Sequence, residues 1–128
     1  MKSQYAVALT LAVGFGLGAT AIQGLHAQAK PPVYVVIDID EIADAAGFKA
    51  VIDRGPGNDA AVKDTGGRFL VRTQNITAFD GTAPKRSIII AFDSAEKAKA
   101  WNDAAYIKET NAIRIKTTKS RSYIVEGM

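Results

Sequence analysis

The 128-residue chain contains no cysteine and one histidine, and its formal net charge at pH 7 is +3. The lack of cysteine excludes disulfides, redox cysteines and Cys/His zinc sites. Basic and acidic residues are interspersed, so the small positive excess predicts no nucleic-acid binding surface.

The chain begins with the features of a secretory signal peptide. Lys2 precedes an uncharged apolar stretch over residues 6–22, and Ala27-Gln28-Ala29 forms a small-x-small cleavage site. An uncleaved membrane anchor is the alternative, because the stretch approaches the about 20 residues of a spanning helix. We therefore expect residues 1–29 to be a leader, the protein to be periplasmic or secreted, and membrane contact only through an uncleaved leader.

Cleavage after Ala29 would leave a single domain, residues 30–128. Since His26 lies in the leader, the remaining chain has neither histidine nor cysteine. This composition excludes a histidine-dependent catalytic triad and haem held by histidine or cysteine. We expect no metal and no cofactor.

The first strand is predicted over residues 33–39, where β-branched residues dominate. A helix is predicted over 40–52, with apolar residues at helical spacing and Asp40 at its favourable amino end. Asn58 is a good N-cap for a short helix over 59–64, which Gly66 or Gly67 ends in the left-handed conformation. The second strand is predicted over 68–73.

The second half of the chain is predicted to contain a strand, two helical segments and a final strand. A strand is predicted over 86–92, and Asp93 followed by Glu96 resembles a capping box. Helical segments are predicted over 94–102 and 104–115. A final strand is predicted over 122–126.

The order β-α-β-β-α-β indicates an α+β, ferredoxin-like fold with a four-stranded antiparallel sheet. Alternation predicts two different sheet faces. The face toward the helices is predicted to hold Val33, Val35, Ile37, Ile39, Phe69, Val71, Ile88, Ile90, Phe92, Tyr123 and Val125. The opposite face is predicted to hold Tyr34, Val36, Asp38, Arg68, Leu70, Arg72, Ile89, Ala91 and Ile124.

The second face is mixed in character, and a partly apolar face of this kind favours burial against a partner. Two sheets packed face to face would give a symmetric homodimer with a barrel-like interior. Asp38, Arg68 and Arg72 would then line that interior.

The chain resembles the domain-of-unknown-function 1330 family over about residues 33–127. The resemblance is carried by 66–72 (GGRFLVR), 98–106 (AKAWNDAAY), 34–39 (YVVIDI), 86–93 and 123–127 (YIVEG). It implies a dimeric α/β-barrel of ferredoxin-like subunits and no established activity. Family members often carry a tyrosine-rich segment in helix one, where this chain has 47–51 (GFKAV). The wider superfamily includes cofactor-free monooxygenases and haem-degrading enzymes, but fold alone is weak support for a function.

Six residues are candidates for a ligand site. Arg68 and Arg72 could clamp a carboxylate or enolate, or could instead bridge to Asp38 or a second subunit. Asp38 could act as a general base if burial raised its pKa, whereas an ion pair would lower that pKa. Tyr34 lies on the same predicted face.

Trp101 and Tyr106 complete the candidates. Trp101 has the size and the N–H to close one wall of a cleft, although a core anchor is the commoner role for such a residue. The hydroxyl of Tyr106 could reach the same cleft.

Three functions are consistent with these patterns. The first is a dimer that binds a small acidic or carbonyl compound in a cleft at the sheet face. The second is a cofactor-independent enzyme, monooxygenase- or isomerase-like, acting on a small carbonyl or phenolic substrate. The third is a structural dimerisation module.

Overall fold

The computed structural model describes residues 31–128. Its strands are β1 (Val33–Ile42), β2 (Arg68–Thr73), β3 (Arg86–Phe92) and β4 (Thr118–Glu126). Its helices are α1 (Ala45–Asp53), α2 (Gly55–Asp64), α3 (Ala95–Asp103) and α4 (Ala105–Thr117). The strands form one antiparallel sheet in the order β2-β3-β1-β4. The ferredoxin-like α+β fold is confirmed, with each of its two helical segments divided into two helices.

The first strand is longer than predicted, and the helix after it starts later. β1 continues through Asp40 to Ile42, where Ile42 pairs with Thr118 of β4. Asp40 is thus a strand residue, and its carboxylate forms an ion pair with the Arg121 side chain. Its predicted place at a helix start is wrong. The N-cap of α1 is Asp44, whose Oδ1 accepts from the amide of Gly47 at 3.0 Å.

Other element ends also differ from the sequence prediction. α2 begins at Gly55 and not after Asn58, because Pro56 suits the first turn of a helix. The predicted cap Asp93 is replaced by Ser94, whose Oγ accepts from the amide of Lys97 at 3.2 Å. The left-handed residue before β2 is confirmed as Gly66, with φ +81°.

The register of β4 corrects part of the predicted face assignment. Ile124 pairs with Val35, and therefore lies on the helix-facing side. Tyr123 pairs with Val36, which places it on the opposite, open face. Val125 lies there too, opposite Tyr34. The predicted assignment of Tyr123, Ile124 and Val125 is therefore wrong by one residue.

A β-bulge in β2 moves Arg72 to the helix side of the sheet. The register with β3 shifts between Phe69 and Val71, after which Arg72 pairs with Ile88. Because Ile88 pairs with Ile37 of the helix-facing row, Arg72 belongs to that face. The predicted sharing of one face by Arg68 and Arg72 is wrong, since Arg68 pairs with Ala91 on the open face.

The core lies between the helix-facing side of the sheet and the four helices. β1 contributes alternate buried residues, from Val33 to Ile39. Within residues 31–128, no helix is both long and apolar enough to cross a membrane. The predicted leader, residues 1–29, lies outside the described residues.

Candidate functional site

A pocket of about 250 Å³ lies between the sheet and the helices. Its floor is formed by helix-facing residues of β1 and β3, such as Ile37 and Ile88. Its other walls include Phe48 of α1, Trp101 of α3 and Arg114 of α4. The volume lies just below the roughly 300–1,000 Å³ of typical small-molecule sites, so it fits a small metabolite-sized compound.

The most unusual residue of the pocket is Arg114, which is 7% exposed. Its Nη1 donates to Oγ of Ser120 at 2.6 Å, and Nη2 lies 3.5 Å from Oδ1 of Asn111. Its Nε has no hydrogen-bond partner among the described residues, and no carboxylate there pairs with it. Burial lowers the pKa of Arg114 from its ordinary value. A buried guanidinium without a counter-ion is costly, because charges lose hydration when they leave water.

Trp101, which also lines this pocket, carries a second unpaired donor. The residue is 4% exposed, and its ring packs on Phe92 with centroids 5.7 Å apart. Its Nε1 finds no acceptor within the described part of the chain. Since buried polar groups are nearly always hydrogen-bonded, two unpaired donors on residues that line one pocket favour a site there for an acceptor from outside the protein.

The charge of the pocket is of one sign. Its charged lining residues are Arg72, Arg86 and Arg114, and within residues 31–128 no aspartate or glutamate lines it. Neutral polar atoms come from Asn58, Thr110 and Asn111. The remaining lining is mostly apolar. Such a pocket suits an anion or carbonyl group attached to an apolar body.

The three arginines differ in how they are paired. Nη1 of Arg72 lies 2.6 Å from Oδ1 of Asp59 on α2, and its Cζ lies 4.1 Å from the ring centroid of Phe69. Arg86 has no ion pair within residues 31–128, and its Cζ lies 5.8 Å from the ring centroid of Phe48. The charge of Arg72 is therefore largely balanced by Asp59, whereas the charges of Arg86 and Arg114 are not.

Three candidates from the sequence lie away from this pocket. Tyr34, Asp38 and Arg68 are on the open face, and none of them lines the pocket. The Asp38 side chain is 14% exposed, accepts from Ser87 Oγ at 2.9 Å, and pairs with Arg121 at 3.2 Å. The ion-pair partner of Asp38 is thus Arg121 and not Arg68 or Arg72.

Tyr106 is held by a contact between helices and does not line the pocket. Its hydroxyl donates to the carbonyl of Arg54 at 3.1 Å, and the Arg54 guanidinium lies 3.9 Å from its ring centroid. Of the six candidates, the structure brings only Arg72 and Trp101 into the pocket.

Sequence reasoning missed Arg114 and Arg86. The signal for Arg114 was a stripe at helical spacing on α4, namely Ile107, Thr110, Arg114 and Thr117, all of which are buried. An arginine within such a stripe is an exception that points to a buried site. The described residues contain no group of three His, Cys, Asp or Glu side chains placed to hold a metal ion.

Comparison with solved structures defines the class of this domain as ferredoxin-like α+β. A protein of unknown function from Rhodopseudomonas palustris is similar, with a TM-score of 0.62, 14% identity, and coverage of 85% of this chain and 92% of that one. A cofactor-independent oxygenase from Streptomyces nogalater has a TM-score of 0.53 at 13% identity, covering 77% and 94%. A dimeric ferredoxin-like protein of unknown function from Thermobifida fusca has a TM-score of 0.54 at 11% identity, covering 76% and 92%.

The sequence assigns the chain to a family as well as a fold. The model of the family described as "Domain of unknown function (DUF1330)" matches residues 32–128, and the chain belongs to that family. Comparison with functionally curated proteins found no match. At these identities the structural likeness shows the fold alone, so function has to be argued from the pocket.

Proposed function

We propose that this protein binds a small acidic or carbonyl compound in the pocket between the sheet and the helices. The observation that carries this proposal is Arg114, buried in the pocket wall without a carboxylate partner in the described chain. An oxygen of the ligand would accept from Nε of Arg114 and from Nε1 of Trp101, the two unpaired donors. The apolar body of the ligand would lie on Ile37, Ile88 and Phe48.

This position differs from the one expected from sequence. The expected cleft was on the sheet face that carries Asp38 and Arg68, whereas the pocket is on the helix-facing side. A carboxylate there would form charge-assisted hydrogen bonds, which are stronger than neutral ones. It would also neutralise a guanidinium that has lost its hydration, so binding should stabilise the folded state.

The proposal is tested by thermal unfolding with matched compounds. Hexanoate and hexanamide have the same apolar body, but only hexanoate carries a charge. A binding protein of the proposed kind would be stabilised by hexanoate far more than by hexanamide, and cyclohexanecarboxylate with its amide would repeat the comparison on a bulkier body. Equal or absent shifts across small carboxylates of several shapes would contradict the proposal.

Catalysis at the same pocket is the second candidate, and the two unpaired donors are the observation that favours it. Buried N–H groups stabilise oxyanions that develop during reaction. No Asp, Glu, Lys, Tyr or Cys side chain of the described residues lines the pocket, so a base would have to come from the substrate itself. Because binding requires no such group, we place it first and retain a cofactor-independent reaction on a carbonyl or phenolic compound as the alternative.

The protein is also proposed to be a homodimer that pairs through the open face. Tyr123 and Val125 of that face are 43% and 39% exposed, and Val36 and Ile89 lie beside them in the sheet. The Thermobifida fusca protein of similar fold is described as dimeric. Light scattering on wild-type and Val36→Glu protein tests the proposal, which requires a dimer for the first and a monomer for the second.

We also propose that the protein is exported, on the basis of the sequence of residues 1–29 alone. The features over residues 1–29 favour cleavage after Ala29 and a periplasmic or secreted protein. Mass spectrometry of the protein from a periplasmic extract tests this, since the proposal requires an amino terminus at Lys30.

A further inference from the structure

We propose that the preferred ligand carries two acidic groups, one at each end of an apolar linker. One group would bind Arg114, as in the proposed function on which this inference rests. The other would bind Arg86 at the outer end of the same pocket.

Arg86 is the second guanidinium of the pocket that lacks an ion pair in the described chain. It is half-buried, as the first residue of β3, and pairs with Ile39 on the helix-facing side. Arg72 differs, because Asp59 already balances its charge at 2.6 Å. The free positive charge is therefore located at Arg86 and Arg114.

Arg86 marks the outer end of the pocket. It lines both this pocket and an adjoining outer groove of about 800 Å³, together with Phe48 and Ile52. The groove contains one carboxylate, Glu41, which lies 3.5 Å from Nζ of Lys119. Arg114 and Trp101 line the pocket but not the groove, and their unpaired nitrogen atoms are fully buried.

The sheet separates the backbone of Arg86 from the backbone of the residue that holds Arg114. Arg86 pairs with Ile39, and Ile39 pairs with Ser120, the residue to which Arg114 donates. Neighbouring strands lie about 4.8 Å apart, so the backbone of Arg86 is about 10 Å from that of Ser120. Ile39 lies between them in the pocket floor, which favours an apolar linker.

The test compares hexanoate, adipate and the monoamide of adipate by isothermal titration calorimetry. The amide has the same length as adipate and carries one charge, so the comparison needs no protein variant. We expect adipate, or a longer or shorter dicarboxylate of the same series, to bind at least fivefold more tightly than its own monoamide. A preference of this size should weaken as salt is added, because Arg86 is partly exposed to solvent.

Two variants locate the second charge. Arg86→Gln should remove the preference for the dicarboxylate over its monoamide, because both compounds would then meet a single unpaired guanidinium in the pocket. Lys97→Gln removes the same charge from an exposed pair with Asp93 outside the pocket, and should keep the preference. Equal binding of adipate-type ligands and their monoamides by wild-type protein, or equal effects of both variants, would overturn the inference while leaving the proposed function standing. A failure of hexanoate and all dicarboxylates to bind would overturn both.

Discussion

Nη1 of Arg114 donates to Oγ of Ser120 at 2.6 Å, which ties α4 to the edge strand β4. Oγ of Ser120 also lies 2.9 Å from Oγ1 of Thr118, whose proton is donated to the carbonyl of Arg114 at 2.6 Å. The guanidinium is thus held by neutral oxygens, although it lies in a pocket where a carboxylate would be its natural partner. Fixed geometry without charge neutralisation is typical of a residue that is organised for a ligand.

Replacement of Arg114 with methionine separates binding from folding. Methionine has similar length, and the loss of hydrogen bonds, about 1.5–3 kcal/mol for a charged group, is offset by relief of a desolvation penalty of several kcal/mol. We expect Arg114→Met to keep or raise the melting temperature, by up to about 4–8 °C for each kcal/mol gained, and to abolish stabilisation by hexanoate. Differential scanning calorimetry with and without the acid measures both effects. A strong fall in melting temperature would mean that Arg114 serves the fold.

Trp101→Phe tests the second donor while keeping most of the packing on Phe92. Since Nε1 of Trp101 has no partner among the described residues, its removal should change the free energy of unfolding by less than about 1 kcal/mol beyond the loss of ring area. Binding of hexanoate should weaken about tenfold, the loss of one hydrogen bond to a charged acceptor. Calorimetry is the suitable measurement. Full affinity in this variant would show that the indole N–H does not contact the ligand.

Arg54 is predicted to be the main polar link between α1, α2 and α4. Its Nε donates to Oγ1 of Thr110 at 2.7 Å, and Nη2 donates to the carbonyl of Tyr106 at 2.9 Å. With the cation–π contact included, Arg54→Ala should lower the free energy of unfolding by about 2–4 kcal/mol.

Urea denaturation measures this change, and two variants serve as controls. Arg54→Lys should restore less than half of the loss, because an ammonium cannot form the same fork of bonds. Lys49→Ala removes an exposed pair with Asp53 and should cost only about 0.3–0.5 kcal/mol. If Arg54→Ala lowered the free energy of unfolding no more than Lys49→Ala does, the contacts of Arg54 would not stabilise the fold.

The pH dependence of binding follows from the direction of the Arg114 shift. Burial lowers the pKa of Arg114, so the folded state holds this proton less tightly than the unfolded state does. The resulting destabilisation is constant at neutral pH and is relieved only in strongly alkaline solution, as the pH rises from the lowered pKa of folded Arg114 towards the ordinary arginine pKa.

Carboxylate affinity should therefore be constant between about pH 6 and 9, where Arg114 stays charged and the ligand stays ionised. It should fall about tenfold per pH unit below the pKa of the ligand, which is about 4–5 for a simple carboxyl group. Titrations at a series of pH values test this. A midpoint between about pH 6 and 8 would point to another titrating group.

The sequence predicted the order of strands and helices along the chain and most strand bounds, because alternating β-branched residues specify β1 and β3 almost alone. It could not predict which side chains of β4 face the helices, since Tyr123, Ile124 and Val125 are all largely apolar. Only the pairing of Ile124 with Val35 places Ile124 on the helix-facing side. The bulge near Leu70 had no signal in the alternation of 68–72, so Arg72 was placed on the wrong face. The position of the site could not be predicted, because it depends on this bulge and on Arg114, whose contact with Ser120 is visible only in three dimensions.

The most direct test of the proposed site uses the single tryptophan of the chain. A ¹H–¹⁵N spectrum contains one indole signal, which belongs to Trp101, so its assignment needs no variant. Titration with hexanoate should shift this signal downfield with the dissociation constant found by calorimetry, and the shift should be absent in Arg114→Met protein. An indole signal that stays fixed while the acid binds, or that moves equally in Arg114→Met, would contradict a site formed by Arg114 and Trp101.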